Sequence, residues 1–383
     1  MADVDIIFEG NQYWVESASP YPGRPYVIFF QAYGTKTANA AHALKDQPGI
    51  RFQPHIRRVS LANDINVLSV FPRVSDWYQR PEMEEVVKAI LAKTEGCQRI
   101  GYGQSMGGYG VLNWYHELKL DHCVVVSPNA SCTRSVIAFD NRMPGVEGDL
   151  ERKGIQPERD RLLNGPLITN GYVLYDPYCM DGVHSKMILA KHKLFPIPIA
   201  FGGHSPVALL KELGIAEDWL IGMLQKKKFD LRSFQKEVAS RRSESGEFWF
   251  HVAETMKDHK WYKAAVKAAR RAVKYKKNFV QGQGILAEML CMTGEPAKAL
   301  EILQPMADQV KNRERALLIL AEQYPNVRDR GVKASFLKVL KTVPGGDQAL
   351  EHVAEEAAKR GQKIKLPKAG GGFFGGLMAK VFG

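Results

Sequence analysis

Between residues 1 and 224 the chain alternates short, continuous apolar runs with amphipathic stretches. Tyr26–Phe30 and Ile65–Phe71 are rich in apolar residues, the pattern of strands buried on both faces. Pro81 then opens a helix with Glu82, Glu84 and Glu85 in its first turn, where carboxylates suit the positive end of the helix dipole. That helix ends near Glu95-Gly96. Arg99–Tyr102 is a short strand that runs into Gly103-Gln104-Ser105-Met106-Gly107-Gly108, and a helix follows through Leu118. His122–Ser127, Tyr172–Tyr175 and Ile197–Phe201 complete the strands, with a helix from about His184 to Lys193 between the last two. Such alternation predicts an α/β fold with a mostly parallel sheet covered on both faces. Residues 131–165 are polar, charged and broken by Pro and Gly, so they read as an excursion over the sheet.

Beyond residue 224 the strand pattern stops. Residues 225–246 are charged and poor in core side chains, which marks a linker, in part helical. From 247 to 366 the pattern is all helical. Ala253-Glu254, Ala287-Glu288 and Ala321-Glu322 recur at intervals of 34 residues, and Ala354-Glu355 follows after 33. Ala265 and Ala299 keep the same interval. Small residues at this period let paired helices approach closely. The region resembles tetratricopeptide repeats, although Pro344-Gly345-Gly346 interrupts the third unit. The resemblance implies a protein partner held by the helical repeats. Residues 367–383 form a Gly-rich tail with an apolar tip at Phe373-Phe374, a candidate for peripheral membrane contact or docking.

Charge separates the two regions. Residues 1–224 hold 22 Lys+Arg and 24 Asp+Glu, whereas the remainder holds 31 and 17. Lys263, Lys267, Arg270, Arg271, Lys274, Lys276 and Lys277 lie close together with Trp261, Tyr262 and Tyr275. Protein or intramolecular contacts are the first expectation for this surface, an anionic polymer the second, and nucleic acid a distant third, since no reading motif accompanies it. The five cysteines are scattered and form no CxxC pair. With no basic, apolar leader at Met1–Asp5, this leads to the expectation of a reducing, cytoplasmic setting. No metal-ligand spacing and no phosphate-binding loop occurs, so no cofactor is expected.

Gly103-Gln104-Ser105-Met106-Gly107 fits G-x-S-x-G at a strand-to-helix junction. The turn is tight, so glycines must flank the serine. Ser105 is the candidate nucleophile, and the N–H of Met106 supplies half of an oxyanion hole. The other half falls after the Tyr26–Phe30 strand, at Gln31, Ala32 or Tyr33, with Ala32 preferred. Serine needs a neighbouring base. The last strand ends in Phe201-Gly202-Gly203-His204-Ser205-Pro206, which makes His204 that base. Asp176 and Asp181 follow the preceding strand. Asp181 is preferred as the acid because it lies deeper in the loop, and Asp176 then accepts backbone hydrogen bonds. His184 and Tyr33 are candidate substrate contacts, with a helix-start residue satisfied by backbone the plainer reading of His184. His192 sits among lysines and reads as solvated.

The order Ser, Asp, His, the Gly-Gln-Ser-Met-Gly-Gly-Tyr-Gly elbow and the Asp-Gly-Val-His and Gly-Gly-His-Ser-Pro loops resemble the α/β-hydrolase superfamily over residues 1–224. The resemblance implies a mostly parallel hydrolase sheet and a serine esterase or acyl hydrolase. An ester of a glycan or small metabolite is the expected substrate, and the excursion at 131–165 a lid. One departure is the lack of a His-Gly motif after the first central strand. Two alternatives remain: a catalytically quiet adaptor built on this fold, and an acyltransferase.

Overall fold

The computed structural model describes residues 3–32, 55–140, 142, 150, 155, 157–226 and 229–359. The chain divides into two compact units, Met1–Ser243 and Glu244–Gly383.

The first unit is built on one eight-stranded sheet. Its strands are β1 (Asp5–Glu9), β2 (Tyr13–Ala18), β3 (Tyr26–Phe30), β4 (Asn66–Pro72), β5 (Arg99–Gln104), β6 (His122–Val126), β7 (Gly171–Tyr175) and β8 (Phe195–Pro198). They lie in the order 1-2-4-3-5-6-7-8. β2 runs antiparallel to both β1 and β4, and every pair from β4 to β8 is parallel. This is the α/β-hydrolase arrangement. The β1–β2 hairpin was not legible in the sequence, because its residues mix charged and apolar side chains. β8 begins two residues earlier than the apolar run at Ile197 and ends at Pro198.

Helices cover both faces: α1 (His55–Leu61), α2 (Met83–Lys93), α3 (Met106–Asn113), α4 (Met180–Lys191), α5 (Pro206–Glu212), α6 (Ala216–Leu224) and α7 (Leu231–Arg241). β6 is buried along its whole length, as a strand covered on two sides must be. The main core joins Ile28, Phe30, Val70, Tyr78, Met106, Val125 and Val173 with the inner faces of α2 and α3. The segment read as a linker is largely α7. Asp230 caps it, and Phe234 and Val238 are buried. Trp219 packs edge-on against Phe234 at 5.0 Å and donates to Glu237 at 2.9 Å, so α7 belongs to the first unit.

Strand register sets where function can sit. Phe30 pairs with Gly103, Gln104 with Val126, Val126 with Leu174, and Tyr175 with Pro198. The C-terminal ends of β3, β5, β6, β7 and β8 therefore end at one edge, and the loops leaving them converge there.

The second unit is helical: α8 (Gly246–Asp258), α9 (Tyr262–Tyr275), α10 (Val280–Met292), α11 (Pro296–Asp308), α12 (Val310–Gln323), α13 (Arg330–Thr342) and α14 (Gly346–Lys359). Ala253, Ala265, Ala269, Ala272, Ala287 and Ala299 are buried where neighbouring helices meet. Lys263, Lys267, Arg270, Arg271 and Lys274 are exposed on α9, and Arg271 lies over the Trp249 ring at 4.3 Å. Among the described residues, no helix is long and apolar enough to cross a membrane. The tail at 367–383 and the repeat positions at 360–366 lie outside the described residues.

Candidate active site

Ser105 stands between β5 and α3 with φ 55° and ψ −123°. A non-glycine residue is strained there, and the surroundings must impose it. The flanking glycines show how. A Cβ on Gly103 would lie 2.3 Å from the carbonyl oxygen of Gly107, and one on Gly107 would lie 2.2 Å from the carbonyl oxygen of Phe30. Only bare backbone fits in this crossing. The N–H of Ser105 donates to Val126 O at 2.9 Å, which pins the turn to β6. The hydroxyl is almost buried and reaches Asn129 Oδ1 at 3.4 Å. Met106 is the first residue of α3, so its N–H has no acceptor within the helix.

His204 and Asp181 meet across two loops. Nδ1 of His204 lies 2.9 Å from Asp181 Oδ2. Asp181 is in the first turn of α4 and its side chain is fully buried, whereas His204 is about half exposed. Burial pushes the Asp181 carboxyl up, but hydrogen bonds from His204 and Arg142 outweigh burial and bring it down to about 2. It is a carboxylate over the whole working range. Gln104 holds the histidine loop: its Nε2 donates to His204 O at 3.2 Å and its Oε1 accepts from Ser205 at 3.4 Å. The structure thus brings Asp181 to His204 directly, while the described hydrogen bond of Ser105 goes to Asn129.

Asp176 has a different task. Its two oxygens accept the N–H groups of Tyr178 and Gly203, each at 2.9 Å, which ties the acid loop to the histidine loop. Ala32 is described at the end of β3, beside Gln31, whose carbonyl accepts from the Tyr78 hydroxyl at 2.7 Å. Tyr33 lies outside the described residues. His184 corrects the expectation of a substrate contact. It is fully buried; Nε2 lies 2.8 Å from Asp140 Oδ2 and Nδ1 accepts from the Ala130 N–H at 3.2 Å. Both nitrogens serve the protein interior. His192 is likewise buried rather than solvated, with its ring between the Ile168 N–H and the Leu162 carbonyl.

Three groups escaped the sequence reading. Asn129 follows β6 without any motif. Asp140 and Arg142 lie in the excursion, and only folding brings them to Asp181. The third is the loop after β4. Trp77 and Tyr78 both have positive φ and both are buried. The Tyr78 ring lies against Gly110 of α3, where a Cβ would come within 2.5 Å of it. Asp76, fully buried, accepts from the Tyr13 hydroxyl at 2.6 Å, and burial raises its carboxyl to about 6. Ser127 and Phe201 also have positive φ. Strained residues therefore follow β4, β5 and β6 and occur near the end of β8, all at the convergent edge, and such clustering is typical of functional sites. The described ends of the excursion are joined at Asp160, which accepts from Tyr109, Ser131, Cys132 and Thr133.

A cavity of about 270 Å³ opens beside the elbow, lined by residues that include Ala32, Gln104, Ser205 and Lys211, with Phe29 and Tyr102 on the sheet. Among the described residues, no group of three or more His, Cys, Asp or Glu is placed to hold a metal ion.

A hydrolase-fold unit with a strained serine at its elbow is the class that this geometry defines. No protein-family model matches the sequence, and no curated protein matches it. Solved structures are similar at low identity and low TM-score. The chain is similar to the Glycosylation Associate Protein (Gap123) complex from Streptococcus agalactiae at 12% identity and a TM-score of 0.41, over 59% of this chain and 48% of that one. It is similar to the capsule O-acetyltransferase of Neisseria meningitidis serogroup A at 13% identity and a TM-score of 0.39, over 57% of this chain and 93% of that one. An S-formylglutathione hydrolase from Agrobacterium tumefaciens is similar at 11% identity and a TM-score of 0.33, over 58% of this chain and 94% of that one. Likeness at this level concerns the fold alone.

Proposed function

We propose that the first unit is a serine hydrolase acting on acyl esters through Ser105, His204 and Asp181. The observation that carries this reading is the pairing of half-exposed His204 with buried Asp181 at the same sheet edge as the strained Ser105. In the first step Ser105 Oγ forms a bond to the acyl carbon and its proton passes to His204 Nε2. Asp181 on Nδ1 stabilises the resulting imidazolium. The oxyanion is held by the N–H of Met106 and, as the second donor, that of Ala32. The bond from the acyl carbon to the leaving oxygen then breaks, and His204 returns the proton to that oxygen. Water repeats the sequence on the acyl-enzyme: His204 takes its proton and then gives one back to Ser105.

The cavity beside Ala32 and Gln104 lies next to the elbow, with the proposed second oxyanion donor on its wall. A small ester, carried on a glycan or a metabolite, fits this reading. The second unit is read as a tetratricopeptide-like module for a protein partner. Its second hairpin begins 34 residues after its first, from Gly246 to Val280 and from Tyr262 to Pro296.

Hydrolysis of p-nitrophenyl acetate and longer esters tests the assignment. Ser105→Ala should abolish turnover, and the preferred chain length defines the acyl group. Activity that survives Ser105→Ala would refute the assignment. Adding an alcohol acceptor distinguishes hydrolysis from transfer, since an acyltransferase would form the new ester in place of free acid.

A further inference from the structure

We propose that Arg142 is a positioning residue for the acid–base pair: it holds Asp181 ionised and turned toward His204. This inference rests on the serine-hydrolase reading above and adds a residue from the excursion to it.

The geometry is specific. Nη2 of Arg142 donates to Asp181 Oδ1 at 2.9 Å and to Asp140 Oδ2 at 2.8 Å. Its Nε and its backbone N–H donate to Asp140 Oδ1 at 3.1 and 2.9 Å. Asp181 is therefore held at both oxygens, Oδ1 by Arg142 and Oδ2 by His204 and the Cys179 thiol. A carboxylate bonded at one oxygen can turn about its last torsion; bonded at both, it cannot.

The charges require the same clamp. Asp140 and Asp181 have no exposed side-chain surface, and one guanidinium nitrogen touches both. Two buried carboxylates this close do not both stay ionised unless a cation lies between them. Among the described residues, the charged and titratable groups in contact with the pair are these. His204 and Cys179 meet Asp181, His184 meets Asp140, Arg142 meets both, and Asp176 lies on the acid loop turned to backbone N–H groups. Arg142 is the one cation among these that does not depend on a histidine proton. Burial disfavours its own charge, but the two carboxylates more than offset that and raise its pKa further. Asp140 in turn is fixed by His184, whose ring is fixed by the Ala130 N–H, one residue from Asn129 at the Ser105 hydroxyl.

Without Arg142 one of the two acids takes up a proton at mildly acid pH. When that acid is Asp181, the imidazolium loses its counter-ion and the base weakens. The deficit is therefore largest at low pH and fades as the pH rises.

The test is the second-order rate of fluorophosphonate labelling of the full chain, followed from about pH 5 to about pH 9. For Arg142→Met we expect a loss of about tenfold at the acid end, less than about threefold at the alkaline end, and an acid limb moved up by about one pH unit. Arg142→Lys restores the charge without the planar fork, so it should return most of the limb but not the full maximal rate. Asp140→Asn placed on Arg142→Met removes the competing carboxylate and should move the limb back toward wild type. A purely structural Arg142 would instead make the double variant worse than either single one. An acid limb of Arg142→Met that coincides with wild type would overturn the proposal, as would a double variant with no recovery. Ser105→Ala is measured alongside. If it labels like wild type, the serine-hydrolase reading falls and this inference with it. If it is silent while Arg142→Met keeps the wild-type limb, only the role of Arg142 falls.

Discussion

The two units solve the packing problem with different materials. The helical unit buries alanines between helices, and among its described residues the buried polar ones are few: Ser245, Asn312 and Gln323. Its two non-glycine residues of positive φ, Lys260 and Asn278, close helices in turns. The sheet unit buries Asp76, Asp140, Asp176, Asp181, His184 and Arg57 and holds Trp77, Tyr78, Ser105 and Ser127 in left-handed backbone. Buried charge and strain are both costly, and a fold keeps them only where packing over-determines them. The difference is one reason the chemistry is proposed for the first unit.

That contrast can be broken most sharply at the elbow. Gly107→Ala puts a methyl group 2.2 Å from the Phe30 carbonyl oxygen, where backbone must move. We expect a loss of about 3 kcal/mol or more in urea unfolding of the first unit, with no labelling of what remains folded. Next in size is Asp181→Asn, which should slow fluorophosphonate labelling by about a thousandfold or more. Asp176→Asn should act through loop order instead, with a lower melting temperature and a smaller rate loss.

In the helical unit, Ala287→Leu overpacks a helix contact in which the alanine has no exposed surface. A cost of about 1–3 kcal/mol is expected, with the labelling rate unchanged if the units are energetically separate. A drop in labelling would show that the contrast between the units is false.

Acid sensitivity belongs to the first unit. The Asp181 carboxyl is depressed from 3.8 to about 2, so its contribution is complete above about pH 4 and is lost as pH falls through 2. The shift corresponds to about 2 kcal/mol, which Asp181→Asn should remove from the acid limb of a stability curve. Asp76 has the opposite sign. Its carboxyl is raised to about 6, so the folded state keeps a proton that the unfolded chain releases, and stability falls as pH rises from 4 toward 6. Asp76→Asn should flatten that decline. The smallest effect is expected at Gly222 in α6, where an added Cβ meets nothing within 4 Å. Gly222→Ala should be neutral or stabilise by about 1 kcal/mol, in contrast to Gly107→Ala.

Much of the first unit was legible because its signals are local. A strand, a G-x-S-x-G turn and a helix are adjacent in the chain, and the tight turn at Ser105 announces itself through Gly103 and Gly107. The acid and histidine loops could be found by counting strands. The rest is non-local. Arg142 reaches Asp181 across 39 positions, and Tyr13 reaches Asp76 across 63. Neither pair leaves a periodic trace. The burial of His184 and His192 was hidden for the same reason, because one partner of each, Asp140 and Leu162, comes from the excursion. Trp77 and Tyr78 read as ordinary apolar residues, since nothing in their identity signals a left-handed backbone.

The most direct measurement is fluorophosphonate labelling of the full chain, compared among wild type, Ser105→Ala and His204→Ala, with circular dichroism to establish folding. The account predicts a label on wild type that maps to the peptide containing Ser105 and is lost in both variants. A folded wild-type protein that takes no label, or a label that persists in Ser105→Ala, would contradict it.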